Sequence, residues 1–273
     1  MQKICYTENS TLYNAKAVFY PQLDGSLLLA RVHVFSTPRF KQSGWETAVQ
    51  KPVEKQPAQP EEEATDKTLT ATDRAIRRAR RRAFDIIMSN PDLDCFGTFT
   101  YAPDSVADKG SYEDCYPFLR AWLSNGVQRD GLKYLCVPEL TKRGDVHFHA
   151  LCNSTALRME KARNPNNGRL IKHNGDQVYN ITNWRAGFST AQIIQQRADA
   201  DDPRLAVSKY IFKYMGKNFG AKIGGRYVLA GGELKQPIFA YGDGVEQFAT
   251  SAAVDSFEMD LGENGKYWEY SFL

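Results

Sequence analysis

The stretch Asp145-Val146-His147-Phe148-His149-Ala150-Leu151-Cys152 holds two of the chain's four histidines, and every second residue in it is apolar or aromatic. That is the period of a β-strand, along which successive side chains point to opposite faces. His147 and His149 therefore share one face, about 6.5–7 Å apart along the strand, while Val146, Phe148 and Ala150 take the other. Two imidazoles on one face can grip a divalent cation. The plainer alternative is one hydrogen-bonded core histidine and one facing solvent, and the surrounding sequence bears on the choice.

Upstream, Lys133 to Val137 reads as a second strand, joined to Val146–Cys152 by the polar turn Thr141-Lys142-Arg143-Gly144-Asp145. A hairpin of this kind brings Glu139, at the end of the first strand, alongside the histidines. Two imidazoles and a carboxylate leave coordination positions open, and mixed nitrogen and oxygen ligands suit Mn²⁺, Mg²⁺ or a heavier divalent ion. A carboxylate at a turn is otherwise ordinary.

Outward from the hairpin, Cys95-Phe96-Gly97-Thr98-Phe99-Thr100-Tyr101 is aromatic and threonine-rich, a strand ending before Pro103. Residues 111–124 set Phe118, Leu119, Trp122 and Leu123 on one side of a helix, with Asn125-Gly126 as its expected C-cap. Thr70 to Ile87 reads as an amphipathic helix with a cationic outer face and a possible N-cap at Thr72. An arginine face can be merely solvated or can contact phosphates. Residues 154–177 are polar and read as a long loop; apolar residues return at Val178–Trp184, Thr190 to Arg197 suggests a short helix, and Pro203 to Lys217 a longer one closed by Asn218-Phe219-Gly220.

At the chain ends, Ala15–Tyr20 and Ser26–Phe35 suggest a hairpin, and residues 41–69 are too rich in Gln, Lys, Glu, Pro and Thr to pack, so they read as a linker. The pattern of residues 221–273 is too weak to assign. The organisation expected is 1–69 as hairpin and linker, 70–238 as the main domain and 239–273 as an extension.

The predicted helix 203–217 carries a second chemical cluster. Tyr210 and Tyr214 are four apart, as are Lys213 and Lys217, and each tyrosine is followed three residues later by a lysine. Tyrosines at this spacing commonly serve packing. A phenol is a poor nucleophile while protonated, but neighbouring lysines and a polarised phosphate would help it attack a phosphodiester.

Three motifs thus occur in order: Phe-Gly-Thr-Phe-Thr-Tyr at 96–101, His-hydrophobe-His at 147–149 with Glu139 upstream, and Tyr-x-x-Lys-Tyr-x-x-Lys at 210–217. Together they resemble the signature of HUH endonucleases, the rolling-circle replication initiators of phages and plasmids. The phrases Glu139 to Ala150, Asn183-Trp184-Arg185-Ala186-Gly187-Phe188 and Arg226 to Pro237 are similar to initiators of the gene II protein and single-stranded-phage type, and the likeness covers roughly 70–238.

The resemblance implies an α+β fold: a central antiparallel β-sheet of the RRM or palm-like kind with flanking helices and the metal motif on a middle strand. It implies that His147, His149 and Glu139 bind a divalent metal, Mn²⁺ or Mg²⁺. Tyr210 or Tyr214 would then nick single-stranded DNA or an origin hairpin, leaving a 5′-phosphotyrosine and a free 3′-OH. Lys213 and Lys217 would hold phosphate or stabilise the phenolate. Arg77, Arg78 and Arg81 of the arginine helix, Lys142 and Arg143 of the turn, and Trp184 become the expected DNA contacts. Phe96, Phe99 and Tyr101 are further stacking candidates, and core packing is the alternative for these three and for Trp184. A relaxase, a single-strand transposase, or a binding module without catalysis carries overlapping motifs.

No G-x-x-x-x-G-K-[ST] motif occurs, so unwinding is expected from a separate helicase working with host replication proteins. Of the 273 residues, 42% are hydrophobic and 25% charged, with a net charge of +3, as in an ordinary soluble protein. No stretch of about 18 apolar residues or secretory leader is present, which predicts a cytoplasmic protein without membrane association. The five cysteines form no C-x-x-C pair and read as reduced packing residues.

Overall fold

The computed structural model describes residues 10–42, 71–194, 203–217, 223–242, 255–260 and 266–271. In chain order the elements begin with β1 (Ser10–Pro21), β2 (Leu27–Gln42), α1 (Ala71–Ser89), β3 (Cys95–Phe99) and α2 (Tyr112–Asp130). They continue with β4 (Tyr134–Leu140), β5 (Val146–Cys152), β6 (Met159–Lys161), β7 (Lys172–His173), β8 (Asp176–Gln177), β9 (Tyr179–Ile181) and β10 (Ser189–Ile193). Then come α3 (Pro203–Lys217), β11 (Leu229–Gly231), β12 (Ile238–Tyr241), β13 (Asp255–Asp260) and β14 (Lys266–Ser271). The chain divides into two compact units, one of Met1–Tyr20, Leu27–Thr68 and Ile238–Leu273, the other of Pro21–Ser26 and Leu69–Pro237.

The first unit is a five-stranded sheet in the order β12-β1-β2-β14-β13. Its hairpin strands are longer than the apolar runs that announce them, and the C-terminal segment pairs with them: Ala17 faces Ala240, and Val32 faces Tyr270. A buried arginine, Arg31, is satisfied in part by donating from Nη1 to Tyr20 Oη at 2.6 Å. Of the segment expected to be a linker, all but its first two residues lie outside the described residues.

The second unit is α+β, built on an antiparallel sheet in the order β11-β4-β5-β3-β10-β9-β6, with β7 and β8 as a separate ribbon. The alternation in β5 is realised in three dimensions. Val146, Phe148, Ala150 and Cys152 enter a core with Phe99, Cys136 and the α2 residues Cys115, Leu119 and Leu123. On the other face Leu151, Leu135 and Val137 pack against Ala83, Ile86 and Ile87 of α1 and Ile211 and Met215 of α3. The sheet is thus covered by α2 on one side and by α1 and α3 on the other. Full burial of a side chain such as Phe148 contributes about 1.5–3 kcal/mol, enough to fix which face the histidines take.

Several expectations from the sequence are corrected. Helix α2 runs to Asp130 and ends at Gly131, which adopts the left-handed conformation (φ 68°) that glycine alone takes freely. Gly126, the expected cap, is inside the helix where Leu132 passes over it; a Cβ there would lie 2.7 Å from the leucine side chain. At the other end Ser111 caps α2, its side chain accepting from Asp114 N at 3.2 Å. Of the helix expected over 190–197, the described part is a strand: Ser189–Ile193 pairs along β3, with Thr190 opposite Thr98 and Ala191 opposite Gly97, and residues 195–197 lie outside the described residues. Pairing to a central strand overrides a weak helical pattern. The loop 154–177 contains β6, β7, β8 and a 3-10 turn at Ser154–Ala156. Helix α3 has the predicted bounds, and its expected closure at 218–220 lies outside the described residues. Helix α1 begins at Ala71, so Thr72, expected as its N-cap, lies inside the first turn instead.

Among the described residues no helix is long and apolar enough to cross a membrane. Cys95, Cys115, Cys136 and Cys152 are buried free thiols. Burial pushes Cys95 up to about 12 and Cys115 up to about 11, and raises Cys136 and Cys152 as well. Thiolate at neutral pH is then negligible. A colorimetric thiol reagent at pH 8 is expected to leave these four unmodified until denaturant is added; rapid reaction of more than one thiol per native chain would contradict this packing.

Candidate active site

The β4–β5 pairing sets Glu139 directly opposite His147 and Val137 opposite His149. Residues opposite each other in an antiparallel pair share a face, so Glu139, His147 and His149 lie on the side covered by α1 and α3. Glu139 and His149 are 6% and 5% exposed, and His147 is half-buried. Glu139 Oε2 and His149 Nε2 meet in direct contact. The other ring nitrogen of His149, Nδ1, lies 3.1 Å from Thr98 Oγ1, whose residue faces His149 across β3. A hydroxyl can donate or accept, so Thr98 serves either tautomer of the ring.

Nε2 and Oε2 converging on one point require a cation or proton between them, since two lone pairs repel. The donor set of two imidazoles and a carboxylate suits a divalent metal, and Thr98 is the kind of outer partner that orients a ligating histidine. As they stand, no three His, Cys, Asp or Glu side chains among the described residues are gathered around one point. A metal would take the place of the proton shared by Glu139 and His149, with His147 next to them on the strand. Burial, and then the charge of His149, lower the pKa of His147, against the opposing pull of Glu139 and Asp145. His147 is accordingly a neutral imidazole at neutral pH, the state in which a ring nitrogen can ligate.

Helix α3 brings the tyrosine cluster to the same face. Ile211 and Met215 anchor it on the core, and Tyr214, 8% exposed, stacks on His149 with ring centroids 3.7 Å apart and planes 23° apart. Phe96 lies nearly parallel to both rings, 5.8 Å from His149 and 6.5 Å from Tyr214. Tyr210 belongs one turn earlier on the same helical side. Its side chain and that of Lys217 lie outside the described residues, while Lys213 is exposed.

Of the expected DNA contacts, Lys142 and Arg143 are exposed on the β4–β5 turn, beside the end of the hairpin that carries Glu139 and His147. Hydrogen bonds from Gly144 N to Thr141 O (2.9 Å) and from Asp145 N to Thr141 Oγ1 (3.1 Å) close the turn, and Lys109 pairs with Asp145 at 3.1 Å. Arg77, Arg78 and Arg81 are exposed on α1. Trp184 is a correction: it is 6% exposed, packed edge-on against Phe99, Tyr101 and Trp122, and donates from Nε1 to Thr100 O at 3.1 Å. A ring so enclosed is a core residue with its polar atom satisfied and offers no face to a base. Phe99 and Tyr101 are buried with it, and Tyr101 Oη donates to Cys115 O. Nothing in the sequence singles out Thr98 as a partner of the histidines; only the β3–β5 register reveals it.

Residues 94–219 match the family model for replication-associated proteins of the ORF2 and gene II protein type. The matched segment runs from the start of β3 to just past α3 and so contains Thr98, Glu139, both histidines and both tyrosines, but not α1 or β11. No curated protein and no solved structure matches the chain.

Proposed function

We propose that this protein is a replication initiator that nicks single-stranded DNA at an origin by tyrosine attack. The observation that carries the reading is the stack of Tyr214 on His149, which joins the tyrosine helix to the one face of the sheet that carries Glu139, His147 and His149. The match of residues 94–219 to a replication-associated family supports the same reading.

Glu139, His147 and His149 would hold Mn²⁺ or Mg²⁺. The metal, when bound, supplies Lewis-acid stabilisation of charge on the scissile phosphate. Thr98 keeps the His149 ring oriented, and Phe96 with Tyr214 restricts its rotation. The phenol of Tyr210 or Tyr214 attacks phosphorus, its proton is released, and the 3′-oxygen leaves and takes up a proton. One phosphoester replaces another, so the strand can be resealed by its 3′-OH without ATP. Lys142, Arg143 and Lys213, exposed around the site, attract the phosphate backbone. Unwinding is supplied by a separate helicase and synthesis by host replication proteins.

Labelled single-stranded DNA from the protein's own replicon, incubated with protein and Mn²⁺, is expected to give a covalent adduct on a denaturing gel, abolished by a chelator. Cleavage without an adduct would mean a hydrolytic nuclease. Retardation on a native gel without any covalent product from origin-containing strands would mean a binding module.

A further inference from the structure

A cavity of about 550 Å³ lies at the β11 edge of the second unit's large sheet. Its lining includes Arg78 and Arg82 of α1, Tyr116 of α2, Tyr134 of β4, and Arg226 and Tyr227 on the approach to β11. That volume is within the range of about 300–1,000 Å³ for ligand pockets. Arg78 and Arg82, four residues apart, project from one side of α1. Together with Arg226 they are exposed, and none of the three is ion-paired among the described residues. Three guanidinium groups lining one cavity repel each other, and a bound anion relieves that repulsion.

The site is built rather than incidental. Arg226 closes a tight turn in which Gly224 (φ 55°) and Gly225 (φ 73°) are both left-handed, and its N donates to Ile223 O at 3.1 Å. The turn lies flush on Tyr112, whose ring a Cβ on Gly224 would strike, and Tyr112 stacks on Tyr116 at 5.0 Å and 14°. Arg226 is thereby held near the Tyr116 ring. Arginines for phosphates beside rings for base stacking are the components of a groove for single-stranded nucleic acid.

We propose that this cavity is a second DNA site, holding one or two nucleotides of a single strand through Arg78, Arg82 and Arg226, with a base on Tyr116 or Tyr227. Tyr134 and Glu139 are five residues apart on β4, about 17 Å at strand rise, so the cavity is distinct from the histidine face. The choice of DNA as the ligand rests on the function proposed above; the convergence of cations and rings does not. A strand held here passes a fixed distance from the nicking site, which gives the enzyme a means of measuring where it cuts.

The test is fluorescence anisotropy with a dye-labelled single-stranded 15-mer in the presence of chelator, which removes nicking from the measurement. Changing Arg78, Arg82 and Arg226 together to Gln is expected to weaken binding by about tenfold or more and to make the dependence of log K on log salt shallower by about 2. The triple Lys variant is expected to keep the parental slope, and Tyr116→Leu to lower affinity at unchanged slope. The cavity proposal is overturned if the Gln variant keeps parental affinity and slope, or if inorganic phosphate displaces the 15-mer at equal phosphate concentration. Loss of the slope change with adduct formation intact sinks the cavity alone. An intact slope change without any adduct sinks the nicking mechanism alone.

Discussion

With Tyr210→Phe and Tyr214→Phe introduced together, the covalent protein–DNA adduct is expected to fall by roughly 10⁴-fold or more, the scale of loss when a nucleophile is removed. Metal and DNA binding are expected to persist, because only two hydroxyl groups are lost. The single variants separate the roles. Tyr214→Phe keeps the ring that stacks on His149, so any loss of adduct in that variant belongs to the hydroxyl. Tyr214→Ala removes the ring as well and is expected to cost about 3–5 kcal/mol of stability, since it opens a cavity in the core shared with Ile211 and Met215. An adduct persisting in the double variant would show that the phenols are not the attacking groups and that Tyr214 serves only packing.

The elements legible in the sequence are those whose pattern is local. The alternation in β5 and the apolar spacing of α3 follow from burial of one face, and each survives folding because the same face is buried in the structure. Glu139 and the two histidines can be grouped because a short hairpin leaves few ways to pair their strands. What escapes reading depends on partners distant in the chain. Strands β12 and β14 pair with β1 and β2 more than two hundred residues away, and no pattern within residues 238–271 specifies that. Thr98 reaches His149 only through the register of β3 against β5. Trp184 illustrates the opposite case: of its two readings, base stacking and core packing, the structure selects the second, because three aromatic neighbours enclose it. Segment 190–197 misleads because Ala191 and Gln192 have good helical propensity, while the edge offered by β3 decides their conformation.

Saturating Mn²⁺ is expected to raise the melting temperature of the parent protein, and Glu139→Gln to abolish that rise. A ligand that binds only the folded state stabilises it by about 2.7 kcal/mol at a hundred times its Kd. For a domain of this size that corresponds to a shift of about 5–10 °C. Glu139→Gln keeps the shape of the side chain and lets the amide oxygen accept from His149 Nε2, so the metal-free protein loses only the charge-assisted part of one buried hydrogen bond, about 1–2 kcal/mol. The metal, by contrast, loses its anionic ligand. His149→Ala is expected to remove the Mn²⁺ response too, but with a larger metal-free penalty because the ring stacks on Tyr214 with Phe96 beside both. Thr98→Val tests the outer partner: it is expected to weaken Mn²⁺ binding by about 10–100-fold, and Thr98→Ser to restore it. Calorimetric titration reads these affinities without any nuclease assay. A full Mn²⁺-dependent shift in Glu139→Gln would place the metal elsewhere, and the Glu139–His149 contact would then be a buried structural hydrogen bond.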